Sequence, residues 1–113
     1  MQKPRLSKVA EALAELIGIP RPTGRDDILT WDGALVPGGR AGPATRAALQ
    51  RMARAEGILL DPVYSANTFA GLLGLAKEGS IRKGWKVLLL HTGGLSALFA
   101  YQNDLGFGGT EAP

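Results

Sequence analysis

Two clusters of residues in this sequence could carry chemistry, and each follows an apolar run. Tyr64 and Ser65 come after Ile58-Leu59-Leu60-Asp61-Pro62-Val63, and His91, Thr92, Gly93 and Gly94 come after Val87-Leu88-Leu89-Leu90. If both runs are strands of an open α/β sheet, these residues lie outside the carboxyl ends of strands, where such sheets bind ligands. Each residue also has a plainer use when taken singly. Tyr64 suits a half-buried packing position, Thr92 can cap a helix, His91 can be held by local hydrogen bonds, and Gly93-Gly94 alone is a turn. The absences narrow the chemistry further. The sequence has no cysteine and a single histidine. Disulfides, thiolate metal ligands, a cysteine nucleophile and a metal site of several histidines are therefore excluded for this chain.

The elements that must position these clusters follow from periodicity. Leu6, Val9, Ala10, Leu13, Leu16 and Ile17 have the spacing of an amphipathic helix, which Gly18 and Pro20 close. Ile28 to Trp31 reads as a short strand, and residues 32–43 as a glycine-rich loop. Pro43 is placed to open a second helix running to about Ala55, with Leu49, Met52 and Ala53 inward and Gly57 ending it. A third helix is expected from about Ala66 to Glu78. Phe69, Leu72, Leu73 and Ala76 form its apolar stripe, while Ala66, Ala70, Gly71 and Gly74 allow a neighbour to approach closely. Ile58-Leu59-Leu60 reads as a short buried extended segment. Val87 to Leu90, apolar at four successive positions, reads as a strand covered on both faces. A last helix is expected from Leu95 to about Tyr101.

This order predicts an α/β fold class, with short and mostly parallel strands flanked by helices. Residues 1–102 form one α/β segment in this reading, and 103–113 a flexible tail. So few strands cannot cover the faces their apolar residues present. The chain therefore reads as a piece of a larger sheet, with apolar surface left exposed.

Composition agrees with a globular chain of short elements. Of 113 residues, 45% are hydrophobic and 20% charged, with 16 glycines and 7 prolines. The net charge of +3 arises before residue 60, where Arg46, Arg51 and Arg54 recur along one helix. A solvated helix face accounts for them better than a nucleic-acid surface, which needs a denser basic patch. No apolar stretch has the length of a membrane span, and Glu11 and Glu15 interrupt the N-terminal apolar positions. The expectation is a cytoplasmic chain with neither nucleic acid nor membrane as partner.

The run EGILLDPVY, from Glu56 to Tyr64, and KVLLLHTGGLSALFAYQ, from Lys86 to Gln102, together resemble the C-terminal signature of one enzyme family. It is the pyridoxal-phosphate (PLP) family of D-cysteine desulfhydrases and aminocyclopropane-carboxylate deaminases. The resemblance reaches back less clearly to about residue 5 and covers only the last third or so of a full-length member. It implies a fold of the tryptophan-synthase β type, with PLP held between two α/β domains. It also implies roles. Tyr64 matches a tyrosine beside the cofactor that moves a proton or positions substrate. Thr92 matches a residue whose hydroxyl faces the pyridine nitrogen, and an uncharged partner there limits how far electrons are drawn into the ring. Gly93 and Gly94 would let backbone approach the cofactor, and Ser65 would keep a hydroxyl beside it.

The sequence also departs from the family pattern. Where members continue after the tyrosine with threonine or glutamate, glycine and lysine, this chain has Ser65, Ala66 and Asn67. The positive charge is lost at Asn67. The upstream loop that brings a second tyrosine in the family corresponds to residues 36–43, with Gly38 to Arg40 the nearest match and no tyrosine. The Schiff-base lysine and the phosphate-gripping loop lie far upstream in the family, and Lys3, Lys8, Lys77, Lys83 and Lys86 match neither.

The expected function is thus the C-terminal portion of a PLP-dependent lyase or deaminase acting on a small amino acid and releasing ammonia and a 2-oxo acid. Alone, the chain is expected to be inactive. Its partners would be the amino-acid substrate of the complete enzyme and either a complementing N-terminal polypeptide or a second copy. The rival expectation is a non-catalytic interaction or regulatory module derived from the same fold.

Overall fold

A computed structural model describes residues 3–20, 25–31, 33 and 41–106. The chain divides into two units, Met1–Trp31 and Asp32–Pro113. The first holds helix α1 (Lys3–Ile17) and a 3-10 turn at Arg25–Asp27 that touches it. The second holds α2 (Pro43–Glu56), α3 (Ser65–Lys77) and the short α4 (Ala97–Ala100). The greater part of the loop through Gly38 to Arg40, and residues 107–113 of the expected tail, lie outside the described residues.

The helix ends follow from backbone chemistry. At α1 the Gly18 N–H donates to the Glu15 carbonyl and the Ile19 N–H to the Ala14 carbonyl, with Gly18 at φ +70°. This pair of bonds satisfies carbonyls that the helix leaves open. Pro43 opens α2 at a position where its missing N–H costs nothing, and Gly57, at φ +67°, closes it by donating to the Ala53 carbonyl. Glycine takes these left-handed conformations without the penalty a Cβ would bring.

The packing of α2 against α3 organises the second unit. The buried side of α2 is Thr45, Ala48 and Leu49, and that of α3 is Ser65, Ala66, Ala70 and Gly71. The larger residues of the expected α3 stripe, Phe69, Leu72 and Leu73, are only half-buried. The small residues are the ones pressed against the partner helix. The Thr45 hydroxyl donates to Asn67 Oδ1 across this interface, and Asn67 Nδ2 donates to the Val63 carbonyl at 2.7 Å. Beside the helices, Ala41, Leu49, Leu60, Ala66 and Leu105 form the core, with Met52, Phe69, Leu98 and Tyr101 packed on it. Burying a leucine such as Leu60 contributes about 1.5–3 kcal/mol. Arg46 closes this arrangement, its guanidinium donating to the Ala41 carbonyl at 3.1 Å and the Asp104 carbonyl at 3.3 Å.

The expected α/β class is overturned. The described residues are helical with no strand, and Ile28–Trp31, Ile58–Leu60 and Val87–Leu90 have no regular secondary structure. An apolar run becomes a strand only when a neighbour accepts and donates its main-chain hydrogen bonds. Among the described residues no such neighbour exists for these segments. The apolar surface anticipated from the sequence is present, with Leu88 at 91% exposure the extreme case. Among the described residues no helix is long and apolar enough to cross a membrane.

Candidate functional site

The turn into α3 is built around the buried carboxylate of Asp61. Its Oδ2 accepts the Val63 N–H at 2.9 Å and the Tyr64 N–H at 2.7 Å, and its Oδ1 accepts the Ser65 N–H at 2.7 Å. The Ser65 hydroxyl donates to Oδ1 at 2.5 Å and accepts the Asp61 N–H at 2.8 Å. Burial works to raise the Asp61 pKa, but the Ser65 hydroxyl and the amides of Ser65, Tyr64 and Val63 outweigh it. The net result lies below the ordinary carboxylate value. A carboxylate with several donors is stabilised in its charged form.

The second cluster is tied to the first at two places. His91 Nε2 lies 3.0 Å from the Leu59 carbonyl, and His91 Nδ1 accepts the Gly93 N–H at 3.0 Å. An acceptor at Nδ1 puts the ring proton on Nε2, so Nε2 donates to Leu59. Gly94, at φ +91°, sits directly over Asp61: a Cβ there would lie 2.9 Å from Asp61 Cβ and Cγ. Gly93, at φ +97°, has open space where its Cβ would be. Gly94 is thus glycine for two reasons, Gly93 for one.

The described structure therefore brings the two sequence clusters together, though it does so through Asp61, Leu59, His91 and Gly94. Tyr64 stands at the entrance to α3, 69% exposed. Its carbonyl accepts the Thr68 N–H and hydroxyl, both at 2.9 Å, and its phenol has no hydrogen bond among the described residues. Thr92 is exposed, with its hydroxyl likewise free among them. Ser65 is buried, its hydroxyl engaged by Asp61. Asp61 was not singled out in the sequence; its place four residues before Ser65, at the mouth of a helix, is the signal that marks such an anchor.

For PLP, the free Thr92 hydroxyl and the backbone at Gly93, beyond which a Cβ would meet nothing, suit the ring side of a flat aromatic group. The described lysines with described side chains beyond α2 are Lys77, Lys83 and Lys86, all exposed and none hydrogen-bonded to these clusters. No group of three or more metal-binding side chains occurs among the described residues. A groove of about 270 Å³ between α2 and α3 is lined by Ala44, Ala47, Ala48, Arg51, Leu73 and Lys77 among others. It includes neither Tyr64 nor any residue of the His91–Gly94 segment.

No protein-family model matches the chain. Individual proteins do. It is 41% identical over 102 residues to D-cysteine desulfhydrase of Yersinia pestis (strain Pestoides F), covering 88% of this chain and 30% of the relative. The D-cysteine desulfhydrase of Yersinia enterocolitica is 40% identical over 101 residues, with the same coverage. That of Salmonella paratyphi C is 38% identical over 101 residues, again covering 88% of this chain and 30% of the relative. The chain spans about 30% of the length of the curated relatives it matches.

Proposed function

We propose, from the premise that this chain is homologous to a segment of the D-cysteine desulfhydrases, that it supplies one wall of a PLP site for a lyase or deaminase acting on a small amino acid. The observation that carries the reading is the joining of the two clusters: His91 bonded to Leu59, and Gly94 seated on Asp61. Residues some thirty positions apart in the chain, singled out together by the family resemblance, flank this junction.

Bound PLP would supply the electron sink that makes an amino acid's α-proton or leaving group labile. In this reading Thr92 would help hold the cofactor, its hydroxyl supplying an uncharged partner for the ring nitrogen. Gly93 would admit the ring to the backbone, while Gly94 holds the segment against Asp61. Tyr64 offers its phenol to hold or pass a proton at the substrate. Asp61 does not touch the substrate; it fixes where the Tyr64 main chain turns. The lysine that bonds the cofactor comes from outside this chain, so the chain alone has no turnover. In this reading that lysine lies in the part of the fold outside the matched segment.

One observation favours the rival reading, a non-catalytic module derived from this fold. Asn67 stands where the family resemblance places a lysine, and it is committed to Thr45 and the Val63 carbonyl as a helix–helix pin. PLP titration of the chain, followed by absorbance, borohydride reduction and intact mass, tests the proposal. Absence of a stoichiometric reducible adduct on the chain alone, with D-cysteine turnover when the remaining segment of a relative is added, is the expected result. A specific adduct on one lysine of this chain refutes the claim that the lysine is supplied from outside. No turnover in the reconstituted complex refutes the catalytic reading and leaves the module.

A further inference from the structure

The groove between α2 and α3 has an apolar floor and two cations toward one end. Its floor is the buried pair Ala48 and Ala70, which cluster between the helices, and Thr45 is bonded to Asn67 about one turn earlier. Both pairings advance in the same sense along the chain, so α2 and α3 run parallel and the two ends of the groove differ. The exposed Ala44 and Ala47 of α2 and the half-buried Leu73 of α3 form its walls. Arg51 stands one turn beyond Ala47, and Lys77 one turn beyond Leu73, so both charges lie toward the C-terminal end. The lining holds no carboxylate and no hydroxyl. Among the described residues neither the Arg51 nor the Lys77 side chain forms a hydrogen bond or an ion pair.

Volume and charge together indicate the occupant. The groove offers about 270 Å³. An aliphatic cavity of about 150 Å³ holds benzene, so this space has room for roughly ten carbon atoms. From Ala44 to Arg51 the groove runs about 10 Å along α2, a length that an extended chain of that size fills. Such a chain leaves water on lying against alanine and leucine, and an anion at its end meets two cations that a neutral head would leave unused. We propose that the α2–α3 groove binds a small anionic amphiphile, an unbranched aliphatic chain of about ten carbons ending in a carboxylate. The chain lies along Ala47, Ala48, Ala70 and Leu73, with the carboxylate between Arg51 and Lys77. The groove contains neither Tyr64 nor any residue of the His91–Gly94 segment, so its occupancy does not depend on the proposed function.

Decanoate titrated into the full chain tests this, read by calorimetry and by amide proton–nitrogen spectra, with decyltrimethylammonium as the cationic probe of equal chain length. The expected result is one saturable decanoate site with a Kd on the order of 100 μM, at least about 10-fold tighter than for the cationic probe. Its spectral shifts should centre on Ala47, Ala48, Ala70, Leu73 and Gly74, and high salt should weaken it. Arg51→Gln combined with Lys77→Gln, both at exposed positions that leave the fold intact, is expected to weaken decanoate binding by about 10-fold or more. Arg54→Gln, on the same helix but outside the groove, should bind normally. Ala47→Trp fills the groove from an exposed position and should abolish binding, with thermal melts showing that each variant folds. No saturable binding below about 1 mM overturns the proposal, as do equal affinities for the two probes or normal binding by the double variant. Shifts centred on the exposed Leu88 and Leu90 overturn it as well, by placing the chain on another surface. A dimer, seen by light scattering, that covers the groove and excludes decanoate makes the occupant a second copy and overturns the choice of ligand.

Discussion

Gly94 and Asp61 approach so closely that one added methyl group on Gly94 would meet the Asp61 side chain at 2.9 Å. The carboxylate underneath cannot retreat, because four hydrogen bonds from Val63, Tyr64 and Ser65 hold it. The contact is therefore a lock between two segments.

Gly94→Ala should accordingly cost more than Gly93→Ala. Both place a Cβ at a φ near +90°, but only at Gly94 does it also collide. Strain alone costs about 1–3 kcal/mol, and the collision adds about 1–3 kcal/mol more. Urea denaturation of the two variants gives the comparison, and equal losses would show that the contact with Asp61 is unimportant.

Asp61→Asn should lower stability at neutral pH by roughly 2–3 kcal/mol, since an amide group would face backbone donors. The effect has a defined pH dependence. The folded-state pKa of Asp61 is below its unfolded value of about 3.9. Its stabilisation is thus complete above that value and is lost as pH falls through the lower folded pKa. Thermal melts from about pH 6 to about pH 2 should show wild type and variant converging on acidification. A constant gap would mean that the charge contributes nothing.

The neutral His91 ring should carry its proton on Nε2. Long-range proton–nitrogen correlation spectra report this tautomer directly. His91→Ala removes the bonds to both Leu59 and Gly93, with an expected cost of about 1–3 kcal/mol. A proton found on Nδ1 would contradict the Gly93 hydrogen bond.

Thr45→Val keeps the shape of a fully buried side chain but deprives Asn67 Oδ1 of its donor. About 1–2 kcal/mol is expected, and Thr45→Val combined with Asn67→Ala should cost less than the two separately. Strict additivity in that cycle would mean that the pair is not coupled.

How much of this the sequence discloses depends on the range of the interaction concerned. α1, α2 and α3 were legible because their signals are local: Gly18, Pro43 and Gly57 mark boundaries that the structure shows as caps. Ile58–Leu60 and Val87–Leu90 read as strands because both are apolar runs, yet a strand needs a partner that no local pattern names. The buried side of α3 proved to be its small residues, since the nearness of α2 selects for size more than for hydrophobicity. At the candidate site, Tyr64, Thr92, Gly93 and Gly94 are singled out by the family resemblance of the two runs that hold them; taken singly, each has a plainer use. Asp61 is not singled out, because its weight comes from Gly94, far along the chain. The Leu59 partner of His91 is equally invisible in the sequence, being 32 residues away.

Arg46 gathers Ala41 and Asp104 with one guanidinium, and these lie at the beginning and end of the described part of the second unit. The span from Ala41 to Asp104 thus begins and ends at nearly the same spot. Such a geometry tolerates rewiring: a short linker could join the two ends while new termini are cut elsewhere, as in a circular permutant. It equally suits a cassette set into a host protein, since a host loop needs to open only slightly to admit a guest whose ends are side by side.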